Sequence, residues 1–249
     1  YLFTMGAVSL ISDMMPLKGH NRVAVKLMLE IMKKNKYGEF MALTSKTAVD
    51  TKTFGLDIIP KINAVGRIEK GNEINRLIAY FAENDIDKKN IIAKYLEEVN
   101  ERRKEETKNA AEIAVVDDSS PAIVVLADIP EGLNGLLANR LLQQYGKPVA
   151  VFSKSHARSG VLVGSLRSKP GLDIIDCFDS LNIEFVAHGG HAYAGGATIK
   201  EEDFELFKKE FNFYALKHSF EKYPGSEKHG KKIPTSVMDI GWQTNLFIA

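Results

Sequence analysis

The chain has 249 residues, 45% of them hydrophobic, which is enough for one large domain or two of ordinary size. The 33 basic and 32 acidic residues give a formal net charge of +1, which excludes a protein that coats nucleic acid through one broad basic face. The single cysteine, Cys177, excludes a disulfide framework and a cysteine-rich zinc site. No apolar run reaches the roughly 18 residues that cross a bilayer. We therefore expect a cytoplasmic protein with no membrane partner.

The N-terminal part of the chain has mainly helical periodicity. Apolar residues recur three and four positions apart at 24–31 and again at 74–81, which predicts a helix in each segment. The first segment also alternates as a strand does, and we favour a helix because the pattern runs for about ten residues without a turn signal. A stretch rich in Glu, Lys and Arg at 91–114 predicts a long solvated helix that joins two lobes.

After residue 117 short apolar runs alternate with helical patterns. Strands are predicted at 122–127, 148–152, 160–166 and 194–199, and helices at 133–145, from 172 and from 202. This alternation predicts a compact α/β domain. We therefore expect a helical region at 1–90, a connecting helix at 91–117, an α/β domain at 118–220, and a linker at 221–249 that ends in the start of an oligonucleotide-binding barrel.

Two polar clusters lie in the helical region. Asp13 ends an apolar stretch, and a carboxylate there suits Mn²⁺ or Mg²⁺, although on spacing alone a turn or cap residue is the better interpretation. The segment 60–67 places Asn63 and Arg67 among small residues, where Arg67 can hold a phosphate with a planar fork. The alternative, favoured without further context, is a turn between helices with a surface arginine.

Two further clusters lie in the α/β domain. Ser165, Arg167 and Ser168 close a predicted strand, and their hydroxyls and guanidinium suit a phosphate cradle as well as they suit an ordinary polar loop. Residues 188–196 include four glycines within eight positions, which indicates that something approaches this backbone closely. His191 in this stretch either donates to a phosphate or lies beside a metal, and we favour a functional role over a structural one.

In this order the four clusters resemble the RecJ family of the DHH phosphoesterase superfamily. The family motifs D-x-x-P-L followed by N-R, P-x-I-N-A-x-G-R, G-S-x-R-S and G-G-H-x-x-A-x-G match 13–22, 60–67, 164–168 and 189–196, and the helix start at 132–140 is also similar. The resemblance runs from about residue 6 to 199. The joint match is far more specific than any single motif.

The resemblance implies a mostly helical remnant of a DHH catalytic domain followed by an α/β DHH-associated domain. Asp13 would be the last acidic ligand for Mn²⁺ or Mg²⁺, while Arg67, Ser165 and Arg167 would hold substrate phosphates. Gly189, Gly190 and His191 would close over the nucleotide near the metals. We take His191 as the candidate catalytic residue and add Asn63 and Ser168 as substrate-binding candidates from the same motifs.

The implied activity is two-metal hydrolysis of single-stranded DNA from a 5′ end, releasing mononucleotides during DNA repair and recombination. The Asp-His-His triplet and the N-terminal acidic motif of the superfamily are missing, and the chain begins without a Met, so we expect a piece of a longer protein with little or no nuclease activity of its own. The segment 129–131 and Ser9 also depart from the family pattern, which leaves local substrate contacts open.

Three other functions stay open. The first is a related enzyme that hydrolyses short oligoribonucleotides or small nucleotides, the second is a noncatalytic nucleic-acid-binding module, and the third is an interaction scaffold whose glycines only form tight turns. The nuclease assignment carries the expectation that Asp13, Arg67, Arg167 and His191 face one shared groove.

Overall fold

The computed structural model describes residues 2–35, 38–69 and 71–218. The chain divides into two compact units, one ending at Arg103 and the other beginning at Lys104. The predicted linker and barrel strand at 221–249 lie outside the described residues. No helix in the described ranges is long and apolar enough to cross a membrane.

The first unit is helical, as the sequence predicts. The strand alternative at 24–31 is wrong, because that segment lies in the middle of a long helix. The connecting helix begins at Ile86, five residues before the predicted start at 91. The helices of this part of the chain are α1 (Leu2–Ser12), α2 (Gly19–Asn35), α3 (Gly38–Met41), α4 (Thr51–Thr53), α5 (Ile59–Ile68), α6 (Asn75–Ala82) and α7 (Ile86–Ile113).

The segment 60–67 is helical and does not form a turn between helices. A π-helical turn, Phe54–Ile58, joins α4 to α5 into one continuous helix. The carboxylate of Asp50 caps its start by accepting the backbone N–H of Thr53 at 2.7 Å. Pro60 is the second residue of α5 and follows the π-helical turn directly. Asn63 and Arg67 are therefore presented by a helix.

Lys61 fixes α5 to the rest of the helical unit. Its side chain is almost fully buried, and its Nζ lies 2.7 Å from the carbonyl oxygen of Leu43, 2.9 Å from Asp57 Oδ1 and 2.5 Å from Glu97 Oε2. Burial opposes the charge, but the two carboxylates outweigh it and raise the pKa of Lys61. The lysine thus joins the loop after α3, helix α5 and helix α7.

The second unit is built on a five-stranded mixed sheet in the order β1-β2-β3-β5-β4. Only β1 and β2 are parallel, and every other neighbouring pair is antiparallel. The elements are β1 (Ile123–Leu126), α8 (Asn134–Tyr145), β2 (Val149–Lys154), β3 (Val161–Arg167), α9 (Ile174–Ser180), β4 (Ala187–His191), β5 (Ala194–Lys200) and α10 (Phe204–His218). The predicted α/β fold is confirmed.

Helices cover the two faces of this sheet unequally. On one face, Leu137 and Leu141 of α8 pack on Val149 and Val151 of β2. On the other face, α9 and α10 pack on alternate residues, among them Phe152 of β2, Leu162 and Leu166 of β3, and Phe207 and Phe211 of α10. The remaining β3 residues, including Ser165 and Arg167, consequently point to the α8 side.

Strand β4, at one edge of the sheet, was not predicted from the sequence. Its five residues, Ala-His-Gly-Gly-His, have little intrinsic preference for a strand. They are extended because they pair along their whole length with β5, and all five are exposed. The glycine-rich stretch is thus a hairpin whose turn is Ala192-Tyr193.

Candidate phosphate-binding site

Strand register gathers the predicted polar residues of the second unit on one face of the sheet. Arg167 of β3 pairs with Ala194 of β5, which pairs in turn with His191 of β4. Directly paired residues of antiparallel strands project from the same face, so the three form one row. With strands about 4.8 Å apart, the Arg167 and His191 backbones are about 10 Å apart.

The next row on the same face holds Ser165, Gly196 and Gly189. These residues lie two positions along their strands from the first row and therefore project the same way. The result is a strip with a hydroxyl and a guanidinium on β3, exposed glycine backbone on β4 and β5, and an imidazole at one end. A phosphate group can take hydrogen bonds from the hydroxyl, the guanidinium and the imidazole, and the glycines let it approach the sheet closely.

The first turn of α8 borders this strip. A Cβ at Gly135 would lie 2.8 Å from Arg167 Nη2 and 3.6 Å from Ser165 Oγ, so the helix backbone touches both side chains. Arg167 is half-buried there, and its Nη1 donates to the carbonyl oxygen of Leu166 at 2.7 Å. The positive end of the α8 dipole favours an anion at the same place.

Two of the four glycines in the hairpin are required by the fold. Gly190 has φ +144°, and a Cβ there would lie 2.4 Å from the Ala194 carbonyl oxygen. A Cβ at Gly195 would lie 2.6 Å from Ile174 Cγ2 in the core between the sheet and α9. Neither backbone position accepts a side chain without movement of its neighbours.

The other two glycines are not required by the fold. A Cβ at Gly189 would meet no atom within 4 Å, and one at Gly196 would meet only the Gly164 carbonyl oxygen at an ordinary 3.7 Å. Neither has a positive φ that disfavours L side chains, and both lie exposed on the strip beside Ser165. The protein itself leaves room for side chains at both positions, so the open backbone is a surface that a ligand can approach closely.

The two histidines of the hairpin face opposite sides of the sheet. His191 is exposed at the end of the strip, in the row of Arg167. His188 lies on the other side, with its ring 5.0 Å from that of Phe178 and 4.9 Å from that of Phe185. Only His191 is placed to reach a ligand on the strip.

Ser168 supports the site from behind. It is 5% exposed, and its Oγ donates to the Leu172 carbonyl oxygen at 2.8 Å. Its backbone N–H donates to the carbonyl oxygen of Tyr193 in the hairpin turn at 3.1 Å. The hydroxyl of Ser168, which we predicted to bind substrate, is thus used within the loop after β3, and its backbone N–H joins that loop to the β4–β5 hairpin.

The helical unit presents the other three predicted residues. Asn63 and Arg67 are half-buried on α5, and burial lowers the pKa of Arg67 from its ordinary value. Asp13 is exposed in the turn after α1, where its backbone N–H donates to the Ser9 carbonyl oxygen at 2.8 Å. Asn63 and Arg67 share one helix, separated by about one turn.

The residues that the structure describes do not by themselves make a site for Mn²⁺ or Mg²⁺. Across those ranges no three His, Cys, Asp or Glu side chains come together as a candidate metal site. Such cations take several oxygen ligands, and Asp13 offers one carboxylate.

Two features of the site were missed from the sequence. In the sequence Gly196 is one glycine of a motif, and nothing there shows that it has room for a side chain while Gly195 next to it has none. Gly135 touches Arg167 and Ser165 from a helix that lies some thirty residues earlier in the chain. A contact between residues so far apart in the chain leaves no pattern in the sequence around either of them.

Comparison with known proteins identifies the second unit. Residues 119–216 match the family model of the DHHA1 domain. The exonuclease RecJ of Bacillus subtilis, described as specific for single-stranded DNA, is 27% identical over 221 residues, covering 85% of this chain and 28% of the relative. The protein of the same description from Haemophilus influenzae is 28% identical over 232 residues, covering 85% of this chain and 39% of the relative.

Solved structures agree in fold. Thermus thermophilus RecJ in complex with Mg²⁺ matches with a TM-score of 0.75 at 23% identity, covering 86% of this chain and 34% of that one. An exonuclease RecJ bound to manganese matches with a TM-score of 0.67 at 24% identity, covering 86% of this chain and 54% of that one. The chain thus spans about a third of the length of the curated relatives it matches. Residues 119–216 form a DHHA1 domain, and the chain as a whole is RecJ-like.

Proposed function

We propose that this chain supplies the phosphate-binding part of a metal-dependent exonuclease that degrades single-stranded DNA from a 5′ end. The DHHA1 domain would hold a terminal nucleotide of the strand on the strip formed by Ser165, Arg167, Gly189, Gly196 and His191. The curated relatives in Bacillus subtilis and Haemophilus influenzae are described as exonucleases of this specificity, which supports the choice of substrate.

One observation carries the proposal: Gly189 and Gly196 leave exposed backbone beside Ser165 although the fold has room for a side chain at each. An interaction scaffold would not need that opening. A phosphate held by the Ser165 hydroxyl and the Arg167 guanidinium does need it, because a Cβ on the neighbouring strands would hold its oxygens away from the sheet face.

Each residue of the strip has a distinct part in this proposal. Arg167 donates two parallel hydrogen bonds to phosphate oxygens, and Ser165 donates its hydroxyl to the same group. His191, from the far side of the strip, donates to a phosphate oxygen and acts as a proton donor beside the reacting group. Bound Mn²⁺ or Mg²⁺ would supply the activated water; the residues of this chain bind and orient the strand.

The test is binding by the purified chain of single-stranded oligothymidylate with a 3′ fluorophore, measured by anisotropy. An oligonucleotide with a 5′ phosphate should bind at least about tenfold more tightly than its 5′-hydroxyl counterpart, since a charged hydrogen-bonded group is worth about 1.5–3 kcal/mol. Ser165→Ala and Arg167→Ala should remove most of that difference. Equal affinity for the two oligonucleotides would contradict a site for the 5′ end.

A length series separates the exonuclease from its nearest alternative. An enzyme for short oligoribonucleotides or small nucleotides should bind a dinucleotide as tightly as a long strand. The present proposal predicts that affinity rises with strand length, because each additional bound phosphate adds favourable contacts. Tighter binding of dinucleotides than of long DNA would favour the alternative.

A further inference from the structure

Asn134, the first residue of α8, is a buried amide next to the phosphate-binding strip. It is 0% exposed, and its Nδ2 donates to Ser153 Oγ at 2.9 Å and to the Val163 carbonyl oxygen at 2.8 Å. Ser153 of β2 and Val163 of β3 are directly paired, so one side chain joins the first turn of α8 to two neighbouring strands. One of these strands, β3, carries Ser165 and Arg167.

This buried amide makes the domain less stable than an apolar side chain would. Among the residues that the structure describes, no group donates a hydrogen bond to Asn134 Oδ1, which is removed from water. A buried polar atom without a partner destabilises a fold, and an apolar side chain of similar shape avoids that cost. Farther along α8 the residues that pack on the sheet are apolar, among them Leu137, Ala138 and Leu141. Packing alone therefore does not explain an asparagine at this position.

The contact between α8 and the strip leaves little room. A Cβ at Gly135, the residue after Asn134, would lie 2.8 Å from Arg167 Nη2 and 3.6 Å from Ser165 Oγ. A small displacement of this turn therefore changes the space in which the guanidinium lies. Apolar packing has no preferred direction, whereas a hydrogen bond fixes both a distance and an angle. The two bonds of Asn134 fix the helix at the turn where it touches the strip.

We propose that Asn134 is a positioning residue: its bonds to Ser153 and Val163 set the distance of the first turn of α8 from β3, and thereby the place of the Arg167 guanidinium. This role rests on the proposed function and deepens it, because a residue that is itself buried then determines how well the strip holds a substrate phosphate. The groups of a binding site have to be held to within about 0.5 Å, and the residues behind them do this.

The experiment measures, by anisotropy, the preference of the whole chain for 5′-phosphorylated over 5′-hydroxyl single-stranded oligothymidylate. The double variant Asn134→Leu/Ser153→Ala replaces the polar pair by an apolar one, and Ser153→Ala alone leaves the bond to Val163. The matched control is Asn212→Leu on α10, which covers the other face of the sheet. Asn212 also joins a helix to the sheet, since its Oδ1 accepts the Ala122 N–H just before β1 at 2.9 Å.

The double variant should lose at least about threefold of the 5′-phosphate preference, because Arg167 is no longer held in place. Its Tm should equal or exceed that of the unchanged chain, because both polar partners have been replaced. Ser153→Ala should give a smaller loss of preference. Asn212→Leu should melt lower, because the buried Ala122 N–H loses its partner, while its preference stays unchanged.

Nuclear magnetic resonance of the chain labelled with nitrogen-15 arginine shows whether the guanidinium itself is affected. The Nε–H signal of Arg167, assigned with Arg167→Lys, should shift in the double variant and stay in place in Asn212→Leu. A merely structural role of Asn134 would change the melting temperature and leave both this signal and the 5′-phosphate preference as they are.

The positioning role is overturned if the folded double variant keeps its full 5′-phosphate preference, or loses it with the Arg167 signal in place, while Arg167→Ala still removes the preference. In either result the strip, and with it the proposed function, stands. If Arg167→Ala leaves the preference unchanged, the proposed function fails and the role of Asn134 fails with it. Should the double variant not fold, Ser153→Ala decides: an unchanged preference overturns the role, and a loss with a normal melt supports it.

Discussion

Adjacent glycines in the β4–β5 hairpin give a matched pair of substitutions that separates folding from binding. Gly189 and Gly190 are neighbours on the same exposed strand, and alanine adds one methyl group at either position. At Gly189 that methyl meets no atom within 4 Å, whereas at Gly190 it lies 2.4 Å from the Ala194 carbonyl oxygen. The two variants should therefore behave in opposite ways.

The expected stabilities follow from the backbone. Gly189→Ala restricts the unfolded chain without strain in the folded one, so it should stabilise by about 0.4–1 kcal/mol and raise Tm by about 2–8 °C. Gly190→Ala forces a left-handed φ of +144° on a residue with a side chain, which costs about 1–3 kcal/mol before the clash is counted. Its Tm should fall by at least about 4 °C.

Gly189→Ala, the variant that should be the more stable one, should nevertheless bind DNA more weakly than the unchanged chain. The methyl of Gly189→Ala projects into the space that a phosphate occupies, and overpacking of that kind costs about 1–3 kcal/mol, or about 5- to 150-fold in Kd. Melts followed by circular dichroism and anisotropy with a 5′-phosphorylated oligonucleotide measure both quantities. Gly196→Ala, in the same row, should reproduce the result for Gly189→Ala.

Two outcomes would refute this reasoning. If Gly189→Ala melts as low as Gly190→Ala, the fold requires glycine at position 189, and its exposed backbone is then no evidence for a ligand. If Gly189→Ala is stable and binds DNA as the unchanged chain does, no ligand approaches that backbone.

Three further predictions concern single side chains. Arg167→Ala should weaken binding to single-stranded DNA by about 1–3 kcal/mol, measured by anisotropy, and an unchanged Kd would favour the scaffold alternative. Burial opposes the ionised form of Asp57, but the hydrogen bonds from Thr44 and Lys61 outweigh it and lower the pKa of Asp57. Its contribution to the free energy of unfolding should therefore be present above about pH 4 and be lost as pH falls below that value. Denaturant unfolding across this pH range, with Asp57→Asn as control, measures the loss, and an equal loss in both proteins would contradict the prediction. Burial raises the pKa of the Cys177 thiol to about 12, so it should resist alkylation at neutral pH until the domain unfolds; rapid labelling of the folded chain would show that the core is open.

Apolar periodicity predicted most of the fold because the strands it marks have one face in a core. The predicted strands at 148–152, 160–166 and 194–199 differ from β2, β3 and β5 by two residues or fewer at each end. Strand β4 was missed because two glycines and two histidines have no strand preference of their own, and its pairing with β5 decides its conformation. The helical form of 60–67 was missed because small residues were taken to indicate a turn, whereas the segment continues the helix that begins at Thr51.

The candidate site was only partly predictable. The motifs named Ser165, Arg167, Gly189 and His191, and strand register places them in two adjacent rows of one face. The sequence gives no sign that Gly189 is open while Gly190 is enclosed, because that difference depends on φ and on atoms of the neighbouring strand.

Nitrogen-15 labelling of glycine tests the central claim most directly. Addition of a 5′-phosphorylated oligonucleotide should shift the amide signals of Gly189, Gly190 and Gly196, while the signal of Gly160, in the loop at the opposite end of β3, stays in place. Shifts confined to glycines outside the hairpin, with Gly189 and Gly196 unmoved at saturation, would contradict a phosphate-binding strip on this sheet.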